Sequence, residues 1–99
     1  MNRLRVVSRR LKLPDETRSV IRTLHPDLKR KIRSALSEIL REPKSGKFLQ
    51  EDLAGLWSFR VGKMRIIYRP SLRVLEIIAI GPRRVIYTET LRLIKRDQR

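Results

Sequence analysis

Arg60, Arg65, Arg83 and Tyr87 are the residues of this chain whose types and spacing could do chemistry. Residues 56–69 read LWSFRVGKMRIIYR, two apolar-rich runs on either side of Gly62-Lys63. Glycine takes the positive φ that a two-residue hairpin turn requires, so the stretch is expected to fold back on itself there. Such a hairpin pairs Val61 with Met64, Arg60 with Arg65, Phe59 with Ile66 and Trp57 with Tyr68. Alternation then puts Trp57, Phe59, Val61, Met64, Ile66 and Tyr68 on one face. Ser58, Arg60, Arg65, Ile67 and Arg69 fall on the other, which is expected to stay open to solvent. Two arginines directly opposite each other repel and do nothing for the sheet. Either both lean into water, or they await an anion, and phosphate matches the guanidinium fork.

Arg83 follows an apolar run over residues 73–80 and the break Gly81-Pro82. Tyr87 lies four residues further on and shares a helix face with it. If the strand over residues 73–80 pairs with the one after the hairpin turn, its far end returns beside Arg65. The four side chains can therefore converge. Arginines stabilise the extra negative charge of a pentacoordinate phosphorane. Cations stabilise a tyrosinate, and a tyrosine ring can stack on a base. Tyr87 is equally well read as an amphipathic cap on the core. RNA carries its own nucleophile, so a metal-free site could orient the 2′-hydroxyl in line with the phosphate and neutralise charge. The products would be a cyclic phosphate and a free 5′-hydroxyl. DNA could not react this way.

Other chemistries are poorly supplied. The single histidine, His25, stands where a helix should begin, so a two-histidine mechanism is impossible. There is no cysteine, hence no disulfide and no thiolate metal site. The carboxylates are scattered, and the four glycines form no phosphate loop. No metal and no small-molecule cofactor are expected.

Charge points to the partner. Lys and Arg number 25 against 10 acidic residues, a formal net charge of +15 with a pI near 11.6. No fold needs that excess, and nucleic acid is its first explanation, ahead of an anionic membrane surface or an acidic protein. Lys63 and Arg84 flank the arginine set. Lys44 and Lys47 lie in a loop, and Arg30 and Arg33 on the polar side of a helix. With Arg60, these are the residues expected to contact RNA. No apolar run is long enough to span a bilayer, which makes a soluble cytoplasmic protein the expectation.

The elements that must position these residues follow in order. Residues 1–99 read as one domain, large enough to bury roughly two thirds of its unfolded surface. Residues 3–8 alternate weakly as a strand, and residues 9–13 are basic and irregular. Pro14 opens a short helix with Val20, Ile21 and Leu24 as its stripe. Pro26 opens a longer helix, with apolar residues at Leu28, Ile32, Ala35, Leu36, Ile39 and Leu40. Residues 43–52 read as a mobile loop tethered by Phe48 and Leu49. The hairpin, the strand over residues 73–80 and a short terminal helix over residues 83–96 complete the chain. The expected fold is α+β: a small antiparallel sheet of about four strands, two N-terminal helices packed on one face and a short C-terminal helix.

The run LAGLWSFRVGKMRIIYR, followed by IIAIGPRRVIY, resembles the RelE/ParE superfamily of toxins from type II toxin–antitoxin systems. The likeness extends from Pro14 to Tyr87. RelE-like members are ribosome-dependent endoribonucleases that cut mRNA. The resemblance implies that Arg65 holds the scissile phosphate, that Arg83 assists there or at the leaving oxygen, and that Tyr87 stacks on a base or helps deprotonate the 2′-hydroxyl. Arg60 matches a position where the RelE branch carries a lysine. Ser58 matches a second such lysine, and there the sequence departs. The expectation is an mRNA interferase acting on the ribosome and held in check by a cognate antitoxin. The alternatives are a ParE-like, non-enzymatic inhibitor of DNA gyrase and a plain RNA- or partner-binding module.

Overall fold

The hairpin expected at Gly62 organises the sheet. A computed structural model describes residues 9–97. In it β3 (Trp57–Val61) and β4 (Met64–Pro70) pair antiparallel with Trp57 opposite Tyr68, Phe59 opposite Ile66 and Arg60 opposite Arg65. Gly62 takes φ 62°, and Lys63 between the strands does not share the positive φ. Positive φ at the first turn residue alone is the pattern of a II′ turn. On the other side of β4, β5 (Val74–Pro82) pairs antiparallel and places Gly81 opposite Arg65. The register shifts between Ile67 and Tyr68, where Ile78 is the extra residue on β5.

Two short strands complete a sheet of order β1-β5-β4-β3-β2. β1 (Arg10–Lys12) runs parallel to β5, with Leu11 opposite Leu75. Residues 9–13 were expected to be irregular. They pair because the edge of β5 is free there and Leu11 gains a place on the core. The sheet is thus five-stranded, with one parallel edge. The strand expected over residues 3–8 lies outside the described residues. β2 (Lys47–Phe48) pairs with β3 at Ser58 and Trp57. Residues 43–52 are therefore ordered: a 3-10 turn at Pro43–Ser45, β2, and a second turn at Glu51–Leu53. Leu49, not Phe48, is the tether. Leu49 is buried and its amide donates to the Leu56 carbonyl, whereas Phe48 stays 48% exposed.

Helix α1 (Asp15–Arg22) opens with Asp15 and Glu16 in its first turn, where carboxylates suit the dipole. Helix α2 (Pro26–Arg41) is capped by His25, whose Nδ1 accepts from the Asp27 amide at 3.1 Å. That is the helix-start role expected of it. Ile32, Ala35, Leu36 and Ile39 form the buried stripe of α2, packed on Val61, Ile66, Tyr68, Leu75 and Ile77. Val20 of the α1 stripe is 40% exposed.

The opposite sheet face is not left open. Helix α3 (Arg83–Asp97), 15 residues long and so not short, lies on it. A second core forms there from Leu49, Leu56, Ile67, Ala79 and Ile86. Ile67 and Ser58 were expected on a solvated surface, and both are buried. The physical reason is that Ile67 and Ala79 make this face apolar in the middle, and α3 supplies Ile86, Leu93 and Ile94 to cover it. The turn end of the face, with Arg60 and Arg65, remains uncovered, as does Arg69 at the other end, where it pairs with Glu76. No helix among the described residues is long and apolar enough to cross a membrane.

Candidate active site

Arg60 and Arg65 are forced together by the register of the hairpin, one on each strand. The amide of Arg83 donates to the Lys63 carbonyl at 2.9 Å and ties the start of α3 to the hairpin turn. Gly81 leaves room for Ile86 at the start of α3: a Cβ there would lie 3.1 Å from the Ile86 Cδ1 and push it aside by a few tenths of an ångström. Arg60, Lys63, Arg65, Arg83 and Arg84 consequently line one cleft of about 630 Å³. A second opening of about 470 Å³, lined by Glu38, Ser45, Lys47, Ser58, Arg60 and Arg65, adjoins it along the β3 edge that β2 leaves free. Arg65 belongs to both.

The electrostatics of the pair are lopsided. Six cations face these two openings, with one carboxylate, Glu38. The first turn of α3 holds no acidic residue to offset the positive end of its dipole, and begins with Arg83 and Arg84 instead. The Arg65 Nε is buried and has no hydrogen-bond partner among the described residues. An orphaned buried donor costs about 1–3 kcal/mol. The Arg60 Nε donates to the Gly62 carbonyl at 3.2 Å, which leaves the rest of its guanidinium free to face outward.

Tyr87 sits one turn after Arg83 and packs partly on the second core. Its hydroxyl lies 3.1 Å from the Ser58 Oγ, and Ser58 lines the same opening as Arg65. The ring is thus a cap on the second core, and Tyr87 itself lines neither opening, meeting the site only through Ser58.

The basic residues expected to contact RNA divide. Arg60, Lys63, Arg84 and Lys47 gather at the site. Arg30 lies on its α2 side, lining a shallow depression with Arg60, and pairs with Asp27. Arg33 is on the other flank of the α2 stripe, and Lys44 lines a different cleft. Glu38 went unnoticed in the sequence. Helical spacing groups it with Ser34 at i+4 and Lys31 at i+7, but only the packing of α2 on β3 turns that flank toward Arg60. Among the described residues no group of three His, Asp or Glu side chains gathers to hold a metal ion. The donor set fits an anion instead.

The fold and this basic cleft define a RelE-like toxin architecture. Residues 12–87 match the family described as ParE toxin of type II toxin-antitoxin system, parDE, and the chain belongs to that family within the RelE/ParE superfamily. No curated protein sequence matches it significantly. Among solved structures, it is similar to the toxin–antitoxin complex RelBE2 from Mycobacterium tuberculosis, with 26% identity, 80% of this chain and 95% of that one covered, and a TM-score of 0.68. A YoeB/ParE toxin from Agrobacterium tumefaciens shares 27% identity over 74% of this chain and 96% of its own, with a TM-score of 0.61. The toxin RelE of E. coli in its free state, a mutant form, shares the fold at 18% identity, covering 90% and 97%, with a TM-score of 0.70.

Proposed function

We propose that this toxin is an endoribonuclease of RelE type that cuts mRNA on the ribosome by attack of a 2′-hydroxyl on the adjacent phosphate. One observation carries the reading: Arg65, with a buried Nε that no neighbour satisfies, stands between Arg60 and Arg83 at an open basic cleft. A phosphate in that cleft would meet the outer nitrogens of the Arg65 guanidinium and, with a turn of the side chain, supply the acceptor that Nε lacks. Arg60 and Arg83 then meet the charge that grows on the non-bridging oxygens as the 2′-oxygen bonds to phosphorus and the bond to the 5′-oxygen breaks. Glu38 is the carboxylate at the cleft that can accept the 2′-hydroxyl proton, a role open because Ser58 holds no amine there. The departing 5′-oxygen takes its proton from water. Tyr87 lies behind Ser58 and would hold that hydroxyl in place at the cleft. Lys47, Lys63 and Arg84 would hold flanking phosphates, and the partner controlling the toxin would be an antitoxin, as in the RelBE2 complex.

Purified protein incubated with ribosomes and a defined mRNA tests this. Primer extension should show cuts at discrete positions, and intact message at saturating protein would end the claim. A second reading, inhibition of DNA gyrase, is favoured by the ParE description of the matching family. It predicts loss of supercoiling activity while message stays whole.

A further inference from the structure

The chain's only tryptophan lies away from the arginine cleft and lines a second one. This cleft measures about 630 Å³, and its walls include Arg9, Arg41, Lys44, Trp57, Pro43 and Pro70. Arg9 is held over it by its Nε, which donates to the Ser71 carbonyl at 2.7 Å. Arg41 and Lys44 are exposed and make no ion pair among the described residues. Glu42 is the one carboxylate present. Trp57 is rigidly set, stacked on Tyr68 at 6.4 Å and met edgewise by the half-exposed Phe48 at 5.4 Å.

A wall separates the tryptophan cleft from the opening that adjoins the arginine cleft. In the segment from Pro43 to Lys47, Lys44 lines the former and Lys47 the latter. Tyr68 pins this wall: its hydroxyl donates to the Pro43 carbonyl at 2.7 Å and accepts from the Gly46 amide at 3.1 Å. Gly46 has no room for a side chain, since a Cβ would lie 2.7 Å from both the Ser58 carbonyl oxygen and the Tyr68 hydroxyl. Trp57 and Arg60 are three residues apart on β3, an odd spacing that turns them to opposite faces of the sheet, so a strand joining the two clefts passes around the β3 edge and over this wall. A chain of phosphates crossing the wall would therefore find cations on both sides of it.

We propose that the tryptophan cleft is a subsite for one nucleotide of single-stranded RNA, further along the same strand as the nucleotide held in the arginine cleft and around the sheet edge from it. The cations suit its phosphate. The indole and the two proline rings offer the flat apolar surface that a base needs and an acidic peptide does not. The proposal rests on the RNA reading of the neighbouring cleft, but its test does not require cleavage.

The test uses the full chain and a 2′-O-methylated hexanucleotide of adenosine and uridine, which cannot be cut. Trp57 emission reports on the cleft without a label. Saturating probe should shift or quench it. Arg41→Ala and Lys44→Ala, both at exposed positions, should together weaken binding by about tenfold and flatten the salt slope of log K by roughly 1.4. Equal melting temperatures would show that the variant is folded. Emission that stays unchanged while anisotropy reports bound probe would overturn the subsite. So would absence of any binding, or a response to an acidic peptide alone. A Trp57 response without cleavage of natural message would leave the subsite standing and remove the enzyme. Cleavage with a silent Trp57 would do the reverse.

Discussion

The two ends of the β3–β4 hairpin are made from the same strands and do opposite things. At the far end, Tyr68 is fully buried, stacked on Trp57, and its hydroxyl both donates and accepts. The buried phenol there is fully used. At the turn end, Arg60 faces Arg65 across the ladder and a buried Nε is left over. Like charges opposed in a sheet cost up to about 1 kcal/mol, and the orphaned donor adds about 1–3 kcal/mol. The contrast teaches that the hairpin is anchored at one end so that strain can be held at the other. An unsatisfied group kept in place by a well-packed neighbour is pre-organised for a ligand that satisfies it.

The largest expected effect breaks the turn end. Arg65→Ala should lower single-turnover cleavage by about 100- to 1,000-fold, the scale of losing a charge-stabilising donor. It should leave the melting temperature unchanged or raised, because the substitution removes repulsion and the orphan together. A fall in stability matching the fall in activity would show Arg65 to be a structural residue. Glu38→Gln sharpens the same end from the other sign of charge. It should slow cleavage by about 100-fold, in the range of a lost general base, while RNA affinity holds or improves. Weaker binding at an unchanged rate would exclude Glu38 as the proton acceptor.

Next in size is the far end. Tyr68→Phe strands the Pro43 carbonyl and the Gly46 amide and should cost about 1–2 kcal/mol. For a chain of this length that lowers the melting temperature by roughly 4–8 °C per kcal/mol. Calorimetry checks it. A variant as stable as the parent would mean that water replaces the hydroxyl and that the wall needs no pin.

The turn end was more legible than the far end. Gly62 and strict alternation locate the Arg60–Arg65 pairing, and the return of the next strand brings Arg83 alongside. These are local rules of turn and pleat. What escaped depends on distant partners. Lys44 and Lys47 look alike in sequence, and only the pairing of Lys47 with Ser58 sends them to different clefts. The covering of Ile67 and Ser58 by α3 follows from a helix later in the chain docking on the second face. One isoleucine in a row of arginines does not announce that. β1 is parallel to a strand some sixty residues away, and its short basic sequence carries no trace of that partner. Glu38 was hidden for the same reason: the flank of α2 that meets β3 is decided by packing.

The smallest effect separates burial from hydrogen bonding at the far end. Burial pushes the Tyr68 phenol above its ordinary value of 10.0, and the Gly46 amide and the Ser45 side chain offset this only in part. The folded chain therefore keeps a proton on Tyr68 at a pH where the unfolded chain has lost it. Between about 10 and the raised folded value the native state binds more protons, so stability must fall as pH rises through that window. Below it the phenol is neutral in both states and contributes no slope. All other groups are common to the parent and Tyr68→Phe, so the difference between the two isolates the phenol. That difference should be constant up to about pH 10 and shrink above it. A gap that widened with pH would mean the tyrosinate is favoured in the folded state, and that the cations around the shared wall reach Tyr68 more strongly than burial does.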